Sequence, residues 1–173
     1  MVVHRILRLL AALGLSLVCA PSGADNVDAA FKTYVERAEA VVAALERGVA
    51  PESQQQPLQA MSDLAADLIP PFSLRYPGCG HYLEAALSLR TSWSSLSIET
   101  IERDYHHDAV LPKPAHEGNR ALCYQMKDLL VHPLTALRLL REQPVDVDSI
   151  RHEIVEVIAH GRALAALMNT GGT

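Results

Sequence analysis

The densest group of side chains able to hold an ion or move a proton is Asp104-Tyr105-His106-His107-Asp108, followed across a proline-rich stretch by His116-Glu117. Imidazole nitrogens and carboxylate oxygens suit Cu, Zn or Ni ions, and residues one turn apart, such as Asp104 with His107 or Asp108, share a helix face. This group therefore reads as a transition-metal site built from Asp104, His106, His107, Asp108 and His116. No metal motif of fixed spacing accompanies it. A helix end at which His106 or His107 interacts with the dipole would look the same without a metal.

A second strip is formed by Tyr124, Asp128 and His132, which recur every fourth residue on one side of a long apolar segment. Leu122, Met126, Leu129, Leu130, Pro133, Leu137 and Leu140 make the core face, while Val131 and Leu139 interleave with the polar strip. A helix apolar on two sides is usually central, so Tyr124, Asp128 and His132 are expected to be partly buried and to need partners. Pro133 has no N–H to donate and so frees a backbone carbonyl beside them. The first reading is a hydrogen-bond network in which Asp128 orients His132; the others are metal ligation and an oriented catalytic base. Lys127 reads as a surface residue.

The third strip is His152, Glu156 and His160 at steps of four, with Glu153 seven residues before His160. Histidines eight apart are about 12 Å apart along a helix, too far to share one ion. The strip borders the core face of Ile150, Ile154, Val157, Ile158 and Leu164. It reads as exposed helix-face charge, with His160 or Glu153 turning inward toward Asp128 and His132 as the alternative. The sequence has no CxxCH, so haem is a secondary cofactor reading, held noncovalently by Met61 or Met126 with His160. Gly-rich phosphate loops, a Gly-x-Ser-x-Gly elbow and a CxxC pair are also absent, which points to binding or carriage rather than catalysis.

The elements that must position these groups are helices. From Val27 to Val49 the apolar residues follow a 3, 4, 3 rhythm that ends at Gly48,. A polar link, Ala50 to Pro57, leads to a second helix carrying Leu58, Met61, Leu64, Ala65, Leu68 and Ile69, which Pro70-Pro71 should stop. Phe72 to Gly80 is then expected to be a loop, and a third helix runs from His81 to Trp93. Ser97 reads as the N-cap of a short helix with Ile98, Ile101 and Tyr105. After a loop from Leu111 to Gly118, two long helices, Asn119 to Arg141 and Asp148 to Met168, meet at a turn around Pro144. No alternating β pattern occurs. The expected fold is an all-α antiparallel bundle of four to five helices.

The first 24 residues have a basic start (His4, Arg5, Arg8), an apolar run from Ile6 to Val18 and a small-residue exit, Ser22-Gly23-Ala24. This pattern predicts a signal peptide cleaved after Ala24, leaving 25–173 as one domain in a periplasmic or secreted setting. The run is too short to span a bilayer. Lipid attachment at Cys19 is the alternative, and Val18 before it argues against that. In an oxidising compartment Cys79 and Cys123 are expected to form a disulfide closing a loop of about 45 residues, rated at ~4 kcal/mol by the chain-entropy model. A free thiol pair or thiolate metal ligands are the other readings. The chain's formal charge of −5 argues against nucleic acid as a partner,. The alternative to a metal-binding role is a cofactor-free module that docks on another exported protein through its helix faces and proline-rich loops.

Overall fold

The computed structural model describes residues 23–170, and every regular element among them is helical. The expected signal peptide, its cleavage region and Cys19 lie largely or wholly outside those residues. Four long helices, α1 (Gly23–Glu46), α2 (Gln55–Arg75), α6 (Arg120–Leu139) and α7 (Val147–Thr170), contact one another in a closed cycle: α1 meets α2 and α7, and α6 meets the same two. Between α2 and α6 run three short helices, α3 (Gly80–Ala86), α4 (Leu89–Ser92) and α5 (Ile98–Ile101). The last of these continues into a single π-helical turn, Glu102–His106.

Local chemistry accounts for most boundaries. Gly48, at φ +74°, follows α1 in the left-handed conformation that glycine adopts without a Cβ penalty,. The Ser97 hydroxyl caps α5 by accepting from the Thr100 N–H at 3.1 Å. Asp146 caps α7 by accepting from the backbone N–H groups of Asp148 and Ser149, each at 3.1 Å,.

Two boundaries differ from expectation. Pro70 and Pro71 do not end α2, which runs on to Arg75. Both prolines face solvent, whereas Phe72 beyond them is 1 % exposed and packs against Tyr76. Burying that ring outweighs the lost N–H groups. The expected Phe72 to Gly80 loop is therefore a helix end followed by a 3-10 turn, Pro77–Cys79. The expected third helix is broken after Ala86, while its expected end among the serines after Trp93 falls at the 3-10 turn Trp93–Ser95.

α6 is the central element, with buried residues around its whole circumference, among them Lys127, Asp128, His132 and Thr135. Pro133 lies inside it and leaves the Leu129 carbonyl without its helical donor,. The Tyr34 hydroxyl of α1 donates to that carbonyl instead. The Cys79–Cys123 disulfide forms as the cysteine count predicts, with Cα atoms 5.2 Å apart. It ties the 3-10 turn to α6. Ala115 N–H donates to the Gly78 carbonyl at 2.9 Å, so the loop before α6 is held to the same turn.

Candidate metal centre

Three elements aim polar side chains into one cleft of about 560 Å³: the π turn after α5, the middle of α6, and the middle of α7. His106 comes from the π turn, His132 from α6, and Glu153, Glu156 and His160 from α7, with Asp128 of α6 fully buried beside His160 rather than lining the cleft. The three imidazole rings form a row. His106 meets His132 edge-on at 4.4 Å between centroids, and His160 stacks on His132 at 4.9 Å.

Two groups of converging ligand atoms share His132. In the first, His132 Nδ1 lies 2.9 Å and His106 Nε2 3.7 Å from Glu153 Oε2. In the second, His160 Nε2 lies 3.5 Å from Asp128 Oδ2. Within each group the ligand atoms lie within 4.8 Å of one another. Each offers two imidazoles and one carboxylate, a three-ligand set that leaves a coordination position open. Ligands at ~2.1 Å from a tetrahedral ion are themselves about 3.4 Å apart. The 3.5 and 3.7 Å separations match that spacing; the 2.9 Å pair is a hydrogen bond that must lengthen slightly to admit an ion.

A shell of fixed groups sets the orientation. Gln125 Oε1 bonds His160 Nδ1, leaving Nε2 turned toward Asp128,. Thr135 donates to the Val131 carbonyl at 3.0 Å and touches His106 Nε2 at 3.4 Å. Lys127 is wholly buried and anchors the π turn to α6: its ammonium donates to the carbonyls of Tyr105 at 2.7 Å and His106 at 2.9 Å, and to Asp108 Oδ1 at 2.9 Å. It also lies over the Tyr124 ring and 3.0 Å from Asp128 Oδ1. That last contact is an ion pair without good hydrogen-bond alignment, and the Tyr124 hydroxyl also interacts with Asp128, so its two buried oxygens are incompletely satisfied.

Burial drives these groups toward their neutral forms. It lowers His106 to about 2, with His132 and Lys127 adding to the effect, and lowers His160 to about 4. His132 is also lowered by burial, against the pull of Asp128 and Glu156. Burial raises Glu153 to about 7, with Glu156 adding to it, and raises Asp128 to about 6 despite Lys127. Neutral imidazoles are the form that binds metals.

No family model matches this chain, and no curated protein or solved structure matches it.

The contiguous cluster that dominates the sequence does not assemble. Of its five candidates only His106 enters the centre. Asp104 pairs with its exposed neighbour Arg103 at 2.7 Å, and His107 is exposed at the cleft rim. Asp108, at φ 58°, spends its carboxylate on Lys127 and on the Tyr82 hydroxyl at 2.9 Å. His116 is exposed and packed over Gly78, where a Cβ would come within 2.9 Å of its ring. A π turn and a left-handed Asp108 send neighbouring side chains in different directions, which linear spacing does not reveal.

Asp128, His132 and His160 do converge. The expectation of an exposed charged face on α7 holds for His152, whose side chain is 68 % exposed, and fails for Glu153 and His160. Glu153 lies three residues after Ile150 and four before Val157, both buried, and that register placed it on the core face,. Lys127, equally open to a surface reading in sequence, is wholly buried, and Cys123 and Val131, one turn either side, are core positions. Met61 and Met126 are buried in the apolar core and neither lines the cleft, so the Met–His haem ligation is not assembled there.

Proposed function

We propose that this protein is an exported helical protein that binds a divalent transition metal through His106, His132 and Glu153. The observation that carries the reading is the convergence of two buried imidazoles and a buried carboxylate from three separate elements, with ligand atoms within 4.8 Å. Chemistry with N and O donors favours Zn or Cu. Glu156, half exposed and 3.8 Å from His132 Nδ1, stands where an ion would enter. The role is binding or carriage. We read the four long helices as an antiparallel bundle forming one domain over 25–173, and the first 24 residues as its export signal. The disulfide supports an oxidising compartment,.

Zinc binding to the purified mature chain, followed by calorimetry, tests this reading. His132→Ala and Glu153→Gln are each expected to weaken zinc binding at this group by at least about tenfold. His107→Ala and His116→Ala leave it unchanged. Wild-type affinity unaltered by the first pair, or lost with the second, refutes the assignment.

A further inference from the structure

We propose that Asp128, His132 and His160 hold a second divalent transition-metal ion, with His132 shared between the two positions. This rests on the metal-binding reading above and extends it from one ion to two.

Asp128 carries the argument. Asp128 is a fully buried carboxylate whose polar contacts, Lys127 at 3.0 Å and the Tyr124 hydroxyl, fall short of well-aligned hydrogen bonds, and a buried carboxylate satisfied so incompletely points to a missing ion, water or proton,. Its two oxygens face different partners: Oδ1 meets Lys127, and Oδ2 faces His160 Nε2 at 3.5 Å, the edge length of a tetrahedral metal site. Gln125 occupies His160 Nδ1 and so leaves Nε2 as the nitrogen available for ligation. The Lys127 charge on Oδ1 keeps that oxygen out of the site and makes Asp128 a single-oxygen ligand.

His132 is then the common wall. Its Nδ1 is directed at Glu153, and each ring nitrogen has one lone pair in the ring plane. Two ions bound together must therefore use different nitrogens of His132. The ring loses its remaining N–H proton to solvent and bridges the ions as an imidazolate. His160 stacks on the His132 ring and His106 meets it edge-on, so each of the two other imidazoles contacts this bridge in its own geometry.

The probes are Zn(II) for stoichiometry and Cu(II) for magnetic coupling, added to the mature chain with its disulfide intact. Two zinc ions per chain are expected. His160→Gln and Asp128→Asn each reduce this to one while keeping the ion at His106, His132 and Glu153. Glu153→Gln also reduces it to one, now held by the Asp128 group. With Cu(II), the wild type loses electron-spin-resonance intensity through coupling, and His160→Gln restores the signal of an isolated ion. One zinc per chain, unaffected by His160→Gln and Asp128→Asn, overturns the second position and leaves the first intact. One zinc weakened by all three substitutions indicates a single composite site and also overturns it. Absence of zinc binding in the wild type refutes the underlying metal reading. Helical circular dichroism of each variant is measured first, and two substitutions on the Asp128 side guard against misfolding of either.

Discussion

Glu153 shows how burial and ligation compete at a single carboxyl group. Burial, then the nearby Glu156, moves it from 4.5 to about 7, so between those values the folded chain retains a proton that the unfolded chain has released. Its contribution to the metal-free protein therefore declines as pH rises through that window. Glu153→Gln keeps a neutral side chain of the same shape. In chelator-treated samples the variant should match the wild type near pH ~4 and exceed its stability near pH ~8, on the order of 3 kcal/mol by urea denaturation. The same substitution weakens metal binding, so one change should move the two properties in opposite directions. Equal pH profiles for both proteins would show that Glu153 is ionised at no cost. His106 and His160, lowered to about 2 and 4, contribute the opposite sign: they favour the folded state above about 6.5 and oppose it as pH falls toward their folded values,.

At the scale of elements, Lys127 joins α6 to the π turn that delivers His106. Its ammonium is the donor for two turn carbonyls and the counter-charge for Asp108 and Asp128. Lys127→Met leaves those carboxylates uncompensated, at a cost of about 3–5 kcal/mol. Adding Asp128→Asn to that variant should recover part of the loss, because one unpaired charge is removed with it. A denaturation series on the single and double variants measures both effects, and additive losses would show that the two side chains do not interact. A further consequence lies in His106. Without the Lys127 anchor the turn can shift, so Lys127→Met should also weaken zinc binding although Lys127 is no ligand.

For the whole molecule, the disulfide and the proposed metal are expected to act on different parts of the stability. The Cys79–Cys123 bridge ties together elements 44 residues apart in sequence and constrains the unfolded chain,. Replacing both cysteines with serine should cost ~2–4 kcal/mol by urea denaturation. Metal binding acts on the folded state alone. At a zinc concentration about 100 times the dissociation constant it contributes about 2.7 kcal/mol, a rise in melting temperature of ~5–10 °C for a chain of this size. Because the bridge lies outside the cleft, the serine variant should show the same zinc-induced rise from a lower starting point. A rise that vanished with the disulfide would mean that the bridge holds the ligands in place.

Helix content was legible in the sequence because local periodicity and caps determine it: the 3, 4, 3 rhythm of α1, the caps at Ser97 and Asp146, and the glycine after α1 all act within a few residues. The disulfide was legible by count, since with Cys19 of the three cysteines assigned to the export signal, Cys79 and Cys123 allow one pairing. The burial of Asp128 and His132 followed from a helix apolar on two sides. Tertiary contacts decided the rest. Phe72 carried α2 past two prolines because its ring had a core to enter. The π turn and the left-handed Asp108 dispersed a cluster that was contiguous in sequence, sending His106 inward and Asp104 to Arg103, while His116, across the proline-rich loop, stayed at the surface. Glu153 and His160 acquired their roles only when α7 came to lie against α6, for a ligand set drawn from three elements depends on distances that no spacing along one helix specifies.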